Sequence, residues 1–494
     1  MDAFIAALQN PAIYPHPVTH FQIIQTHLSW VILTGVFAYK IKKSLNLGFQ
    51  DFTTLENRKY YCEKEVELNQ RLAPQIYVGV IAITGSHQLP EFNGSGPPIE
   101  WAVKMHQFPQ EALLSSVAKQ GKLTPGIILQ AAEQTARFHH NTPVCDPALP
   151  YGTAENVMEP IQQNFDTLKH LACAAEFIPI IERIELSAQK TFQILHDFLL
   201  QRKKQGYIRA CHGDLHLGNM VLMGEQPLIF DCIEFNESFR WTDVMNDVSF
   251  MAMDLHHYQL PELAYLYVDQ YLELTGDYLG AQLLSFYQSY RAMVRAKISA
   301  LQMEQLANDD PHILVLQKDL KDFLALAEEF VNACAPQLTI TMGVSGTGKT
   351  HHTTKILMKT GAIRLRSDVI RKQLKVAPKD LYSLETTQIV YAKLQSLAQD
   401  LLEVGHKVII DAAFLQQSQR QAFWDLAKKL KVPFAILYFE TPSLDVLRQR
   451  INMRLAQGKD QSDATEAVMH QQLSWLESLT PDEQQVATII VNSD

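Results

Sequence analysis

No apolar run in the 494-residue sequence is long enough to span a membrane; the longest, WVILTGVFAY at 30–39, is about half of what a bilayer requires. The opening residues MDAFIAALQNP carry an acid, Asp2, and no basic stretch ahead of an apolar one, which argues against a secretory signal. Cysteine is sparse. The six residues Cys62, Cys145, Cys173, Cys211, Cys232 and Cys334 form no CxxC pair and no His/Cys spacing typical of zinc, so neither a disulfide framework nor a metal knuckle is expected. A reduced, cytoplasmic compartment and a soluble protein fit these absences. Basic charge is also in deficit: a net charge of -10 argues against general affinity for nucleic acid or anionic membrane. Internal repeats and low-complexity tracts are missing.

What remains is ordinary globular composition, 47% hydrophobic and 19% charged, in a chain long enough for two to four domains. From about 20 to 110, short apolar runs (WVILTG, VFAYKI, IYVGVIAIT, EWAVKM) read as strands, with one helical pattern, LENRKYYCEKEVELNQRLA, between the second and third. From about 111 to 330 the pattern is mostly helical, interrupted by a strand pair in GNMVLMGEQPLIFD. Beyond NACAPQ, apolar strands (LTITMG, AIRLRS, KVIID, PFAILYFE, ATIIVN) alternate with helical segments, the rhythm of a parallel α/β sheet. These shifts predict an α/β multidomain chain: residues 1–335 with a small mixed lobe and a larger helical lobe, and residues 336–494 as a doubly wound parallel sheet.

GVSGTGKT at 343–350 satisfies G-x-x-x-x-G-K-[ST] between a strand and a helix. Glycines at 343, 346 and 348 let backbone N–H groups of the loop, including those of Ser345 and Thr347, curl around phosphate oxygens, and the helix aims its positive end at them. Lys349 would reach the β and γ phosphates and Thr350 would hold Mg²⁺. Asp411, closing KVIID, stands where a magnesium ligand belongs or where a helix would be capped. In RLRSDVIRKQL, Asp368 is placed to accept a hydroxyl proton and Arg371 to steady an anionic substrate, or Asp368 caps the helix. Arg448, Arg450 and Arg454 on a later helix either close over a transferring phosphate or decorate an exposed face.

This segment resembles the small P-loop kinases of the zeta-toxin, gluconate-kinase and polynucleotide-kinase type, with their SDxxR after the second strand and arginine-bearing lid. The resemblance implies catalytic roles for Lys349, Asp368, Arg450 and Arg454 and a substrate contact for Arg371. DAAF departs from the pattern: Ala413 stands where relatives often carry Thr.

ACHGDLHLGNMVLM and LIFDCIE set His212, Asp214 and Asn219 at the D-x-x-x-x-N spacing of a kinase catalytic loop and bring Asp231 back on a return strand. Singly, Asp214 reads as a turn former, His216 as a core histidine and Asn219 as a backbone bridge. Together they resemble the aminoglycoside phosphotransferase and choline kinase branch of the protein-kinase-like fold. That resemblance implies Asp214 as catalytic base, Asn219 and Asp231 as magnesium ligands, Lys40 in FAYKIKK as the lysine on the α and β phosphates, and Glu65 as its helical partner. Lys42, Glu63 and Glu67 compete for the last two places. Glu234, Asp243 and Asp247 would line an acceptor site or brace the loop, with bracing expected of Asp247. No G-x-G-x-x-G precedes Lys40; the nearest stretch is LTGVF around Gly35. No A-P-E follows, which argues against protein substrates.

The whole chain resembles bacterial fusions of an aminoglycoside-phosphotransferase-like domain with a P-loop ATP-binding domain. The resemblance implies a kinase using ATP and Mg²⁺ at two nucleotide sites, with a small hydroxylated molecule as partner and neither membrane nor nucleic acid. The alternative is a nucleotide-binding sensor that transfers nothing.

Overall fold

The computed structural model describes residues 3–26, 28–46, 51–307, 309–332, 335–374, 376–377, 380–457 and 461–491; Asp2 and Cys334 lie outside them. The chain divides into two compact units, Met1–Gln163 with Phe192–Asp254, and Asn164–Thr191 with Leu255–Asp494. Among the described residues no helix is long and apolar enough to cross a membrane.

The first unit is built on a six-stranded antiparallel sheet in the order Gln22–Gln25, Ser29–Leu33, Phe37–Lys42, Glu100–His106, Tyr77–Gly85, Pro90–Phe92. The first and last of these strands were not singled out in the sequence, being short and at the sheet's edges. Period-two alternation decides what each face receives. In Phe37–Lys42, Tyr39 and Ile41 enter an apolar cluster with Phe4, Ile5, Tyr14 and Ile83. Ala38 faces the other way, into a cluster with Cys62 of the helix Leu55–Asn69, Ile76 and Val103. Lys40 and Lys42 therefore share the helix-covered face. That helix starts where Thr54 accepts the N–H of Asn57 at 3.1 Å. The expected strand pair forms as Met220–Met223 and Gln226–Ile229, turning at Gly224 with φ 64°. Asn219 closes a short 3-10 turn, Leu217–Asn219, just ahead of the first of these strands.

The second unit carries a five-stranded, wholly parallel sheet in the order Ile363–Arg366, Lys407–Asp411, Gln337–Met342, Phe434–Phe439, Ala487–Ile490. The strand that comes first in sequence lies in the middle, so the loop after it opens at the point where strand order reverses, where ligands bind in such sheets. Helices Pro261–Thr275, Leu284–Gln305 and His312–Val331 belong to this same unit. The helix after Asp411 begins only at Gln417 with Gln416 at its cap, which removes the helix-cap reading of Asp411.

Between Asp411 and that helix the chain makes a strained turn, Phe414 standing at φ 47°. Arg420, fully buried, holds it: Nη1 donates to the carbonyls of Phe414 and Leu415 at 3.2 Å each, and Nε and Nη2 donate to Glu483 at 2.7 and 3.1 Å. Removing one partner of such a pair leaves a buried charge uncompensated. Glu483→Gln should therefore destabilise this unit by about 3–5 kcal/mol, seen as a lower denaturant midpoint in equilibrium unfolding followed by circular dichroism.

His256 lies edge-on to Tyr265 and Phe330, and burial pushes its pKa from 6.5 down to about 4. A depressed folded-state pKa means that the unfolded chain binds the proton first, so stability present above about 6.5 is lost as pH falls toward about 4. The wild type should lose more melting temperature than His256→Leu between pH 7 and 4.5, measured by differential scanning calorimetry.

Candidate active sites

In the first unit the HGD stretch is fixed from behind. Gly213 sits at φ 85°, and a Cβ there would meet the Phe239 carbonyl oxygen at 3.0 Å. Asp247, fully buried in the first turn of helix Val244–His257, accepts the N–H groups of His212 and Gly213 at 2.7 and 2.9 Å. The His212 ring donates from Nε2 to the Phe230 carbonyl at 2.8 Å and accepts the Asp214 N–H on Nδ1 at 3.2 Å. Those two bonds require the neutral tautomer, and burial lowers the pKa in the same sense.

With the backbone held, Asp214 faces its neighbours. Asn219 Nδ2 donates to the Asp214 carbonyl and to Oδ2, both at 2.9 Å, and His216 Nε2 lies 3.4 Å from Oδ2. The Asn219 carbonyl accepts the Phe230 N–H at 3.0 Å, which brings in the return strand that ends beside Asp231. Asp231 adopts φ 63°, and its N–H donates to the Tyr77 hydroxyl at 3.2 Å.

Lys40 completes the cluster. Its ammonium lies 2.6 Å from Asp231 Oδ1 and 2.8 Å from Glu65 Oε1. Burial opposes its charge, but Asp231, Glu65 and Glu234 outweigh that and hold its pKa well above the ordinary lysine value. Glu65, fully buried, is pulled down to about 2 because Lys40 and Lys42 together overcome its own desolvation. The register left open by the sequence is thus shared. Lys42 binds Glu65 Oε2 at 2.7 Å and also Glu234, whereas Glu63 and Glu67 pair on the surface with Lys59 and Lys64. Asp243 is taken up by the buried Arg202 at 2.6 Å. Tyr77 and Asn69, whose Oδ1 accepts the Cys232 N–H at 2.8 Å, carry no motif that would have assigned them to this site.

In the second unit Gly343, Gly346 and Gly348 adopt φ 151°, 89° and 85°, the left-handed region that a phosphate-wrapping loop needs. Every predicted residue of this half except Gly343, Thr347 and Arg448 lines one cavity of about 330 Å³. Thr350 Oγ1 donates to Asp411 Oδ2 at 2.8 Å. The Lys349 ammonium donates to the carbonyls of Gly343 and Val344 at 2.9 Å each. Burial lowers its pKa against the pull of Asp411 and Asp368. Asp368 accepts Arg371 Nη1 at 2.8 Å rather than capping its helix, whose N-cap is Arg366. Arg450 donates to the Gly346 carbonyl at 3.4 Å and Arg454 to that of Ala464 at 2.6 Å. Arg448 faces outward and pairs with Glu466. Ala413 lines the cavity where a hydroxyl was missing from the pattern.

Residues 57–284 match the phosphotransferase enzyme family, and residues 338–479 match the AAA domain family. These matches describe a kinase assembled from a phosphotransferase-family part and a P-loop part. Over 464 residues the chain is 30% identical to Uncharacterized protein Rv2004c of Mycobacterium tuberculosis, covering 91% of this chain and 89% of that one. The figures are the same for Uncharacterized protein Mb2027c of Mycobacterium bovis. The chain belongs to the family these mycobacterial proteins represent. Among solved structures it is similar to a choline/ethanolamine kinase family protein from Mesorhizobium loti, at 11% identity over 67% of this chain and 100% of that one with a TM-score of 0.38. It is also similar to a gluconokinase from Sinorhizobium meliloti 1021, at 18% identity over 32% and 83% with a TM-score of 0.24.

A Cβ on Gly346 would come within 3.2 Å of Leu447 Cδ2 at a φ that L-residues avoid. Gly346→Ala should cost about 1–2 kcal/mol of stability, measured as a lower midpoint in equilibrium unfolding.

Proposed function

We propose that the chain is an ATP- and Mg²⁺-dependent phosphotransferase that phosphorylates hydroxyl groups of small molecules and holds nucleotide at two places. The observation that carries this reading is the convergence in the first unit of Lys40, Glu65, Asp214, Asn219 and Asp231, drawn from separate stretches of the chain into one bonded series. Lys40, set between Glu65 and Asp231, is the cation for the α and β phosphates. Asp214, oriented by Asn219 and His216, takes the proton from the acceptor hydroxyl as the oxygen attacks.

The donors fit a hard cation. Asn219 turns its NH₂ toward Asp214, which leaves Oδ1 as an oxygen ligand, Asp231 offers a carboxylate, and in the second unit a hydroxyl, Thr350, stands against a carboxylate, Asp411. Asn219 with Asp231, and Thr350 with Asp411, would hold Mg²⁺, which would supply positive charge against the charge developing on the phosphate. In the second site Lys349 and the loop N–H groups bind phosphate, Asp368 receives the acceptor's proton, Arg371 steadies the acceptor, and Arg450 and Arg454 screen the charge in flight. Arg371 and Arg454 each keep Nε buried without a hydrogen-bond partner among the described residues, which suits groups awaiting an anion.

A nucleotide sensor without turnover is the second reading. It is favoured by the short hairpin turn at Thr34, Gly35 and Val36, which offers no glycine-rich cover ahead of Lys40. Product formation from radiolabelled ATP across a panel of sugars, amino sugars and nucleosides separates the two. Asp214→Asn should lower the first site's turnover by about a hundredfold or more with the melting curve unchanged, and Lys349→Ala should remove nucleotide from the second. Failure to label any acceptor while ATP binding persists would leave the sensor.

A further inference from the structure

Strand Ile363–Arg366 brings two arginines that no phosphate-loop motif calls for. Arg364 and Arg366 are each 5% exposed, and their close carboxylates come from outside residues 338–479, from Asp269 and Glu273 on helix Pro261–Thr275 of the same compact unit. Arg364 donates from Nε and Nη2 to Asp269 at 3.2 and 2.6 Å and from Nη2 to Glu273 at 2.8 Å. Its Nη1 reaches back to the Thr350 carbonyl at 3.1 Å and to the hydroxyls of Thr353 and Thr354 at 3.2 and 2.8 Å. Arg366 Nη1 donates to both Glu273 oxygens at 3.2 and 3.0 Å. Its Nη2 lies 3.5 Å from Thr350 Oγ1 and its Nε 3.9 Å from Asp411 Oδ2.

A guanidinium beside a hydroxyl and a carboxylate competes with any cation meant for them. Arg366 would need to move by only about an ångström to make a direct charge-assisted bond from Nε to Asp411, and Glu273, bonded to Nη1, anchors the guanidinium short of it. Asp411 Oδ2 already takes the hydroxyls of Thr350 and Thr353 at 2.8 and 3.4 Å, so what remains of that carboxylate is what a hydrated ion would use.

We propose that Glu273 is a positioning residue for the P-loop metal site: by holding Arg366 it keeps Asp411 and Thr350 open to Mg²⁺, so that a helix outside the P-loop segment sets that site's affinity for the metal. This rests on reading the loop as an Mg²⁺–ATP site.

The test uses the full chain with Lys40→Ala to silence the first site, and measures ATP binding by calorimetric titration at stepped Mg²⁺ concentrations beside a melting curve. Glu273→Gln should raise the half-saturating Mg²⁺ concentration about tenfold or more, as expected for a unit charge released near a divalent ion. ATP binding without metal should change little. The double variant Glu273→Gln/Arg366→Met should return the Mg²⁺ dependence to the starting value, a rescue that a merely structural glutamate would not show. A folded Glu273→Gln with unaltered Mg²⁺ dependence overturns the proposal, as does a shift that Arg366→Met fails to reverse. Should Glu273→Gln not fold, Glu273→Asp, which keeps the charge but withdraws it, carries the same expectation and is overturned by the same null shift. Lys349→Ala separates the two levels: if it still binds ATP, the nucleotide reading and this inference fall together. If it does not, and Glu273→Gln leaves Mg²⁺ dependence alone, only the inference falls.

Discussion

Glu65 takes Lys40 on one carboxylate oxygen and Lys42 on the other, and Glu273 holds both Arg364 and Arg366. In each case the cations stand two residues apart on a strand, so the pleat turns them to one face, and a helix laid over that face supplies the shared acid. A buried ammonium or guanidinium without a partner costs several kcal/mol, which makes the glutamate a condition for burying the strand face at all.

From that shared acid each arrangement extends one bond further. Lys40 continues to Asp231, and Arg366 reaches toward Thr350 and Asp411. The strand cation is therefore held behind by a helix acid and set in front beside an oxygen that would face nucleotide or metal. Backbone bonds do the remaining positioning: Asp247 on the amides of His212 and Gly213, Arg420 on the carbonyls around the strained Phe414.

Much of this was legible in residue order. The phosphate loop, the HGD-to-Asn spacing, the returning Asp231 and the alternation of strands with helices are local patterns, and local geometry realises them. Lys40 and Lys42 could not be ranked, because alternation puts both on the same face and only the helix register, with Glu65 inward and Glu63 and Glu67 outward, says which acid they meet. Arg364 and Arg366 gave no signal: RLRS is a strand with charges at alternate places, which usually marks an exposed face, and here all four residues of Ile363–Arg366 are buried. The acids that make such burial tolerable lie some ninety residues upstream, a separation at which spacing carries no information. The compact units likewise each take two separate stretches of the chain, with breaks near 163, 191 and 254, whereas the pattern of the sequence shifts near 110 and 336.

The cover over the edge strand has a consequence for how such a protein arises. A gene segment encoding only the part beyond Pro336 would yield a sheet whose outermost strand presents two arginines stripped of Asp269 and Glu273. Recombination that moved this half alone into another chain would carry an unmet electrostatic debt. Helix Pro261–Thr275 and this sheet are bound to travel together, because the sheet's margin stays buried only with that helix's acids against it.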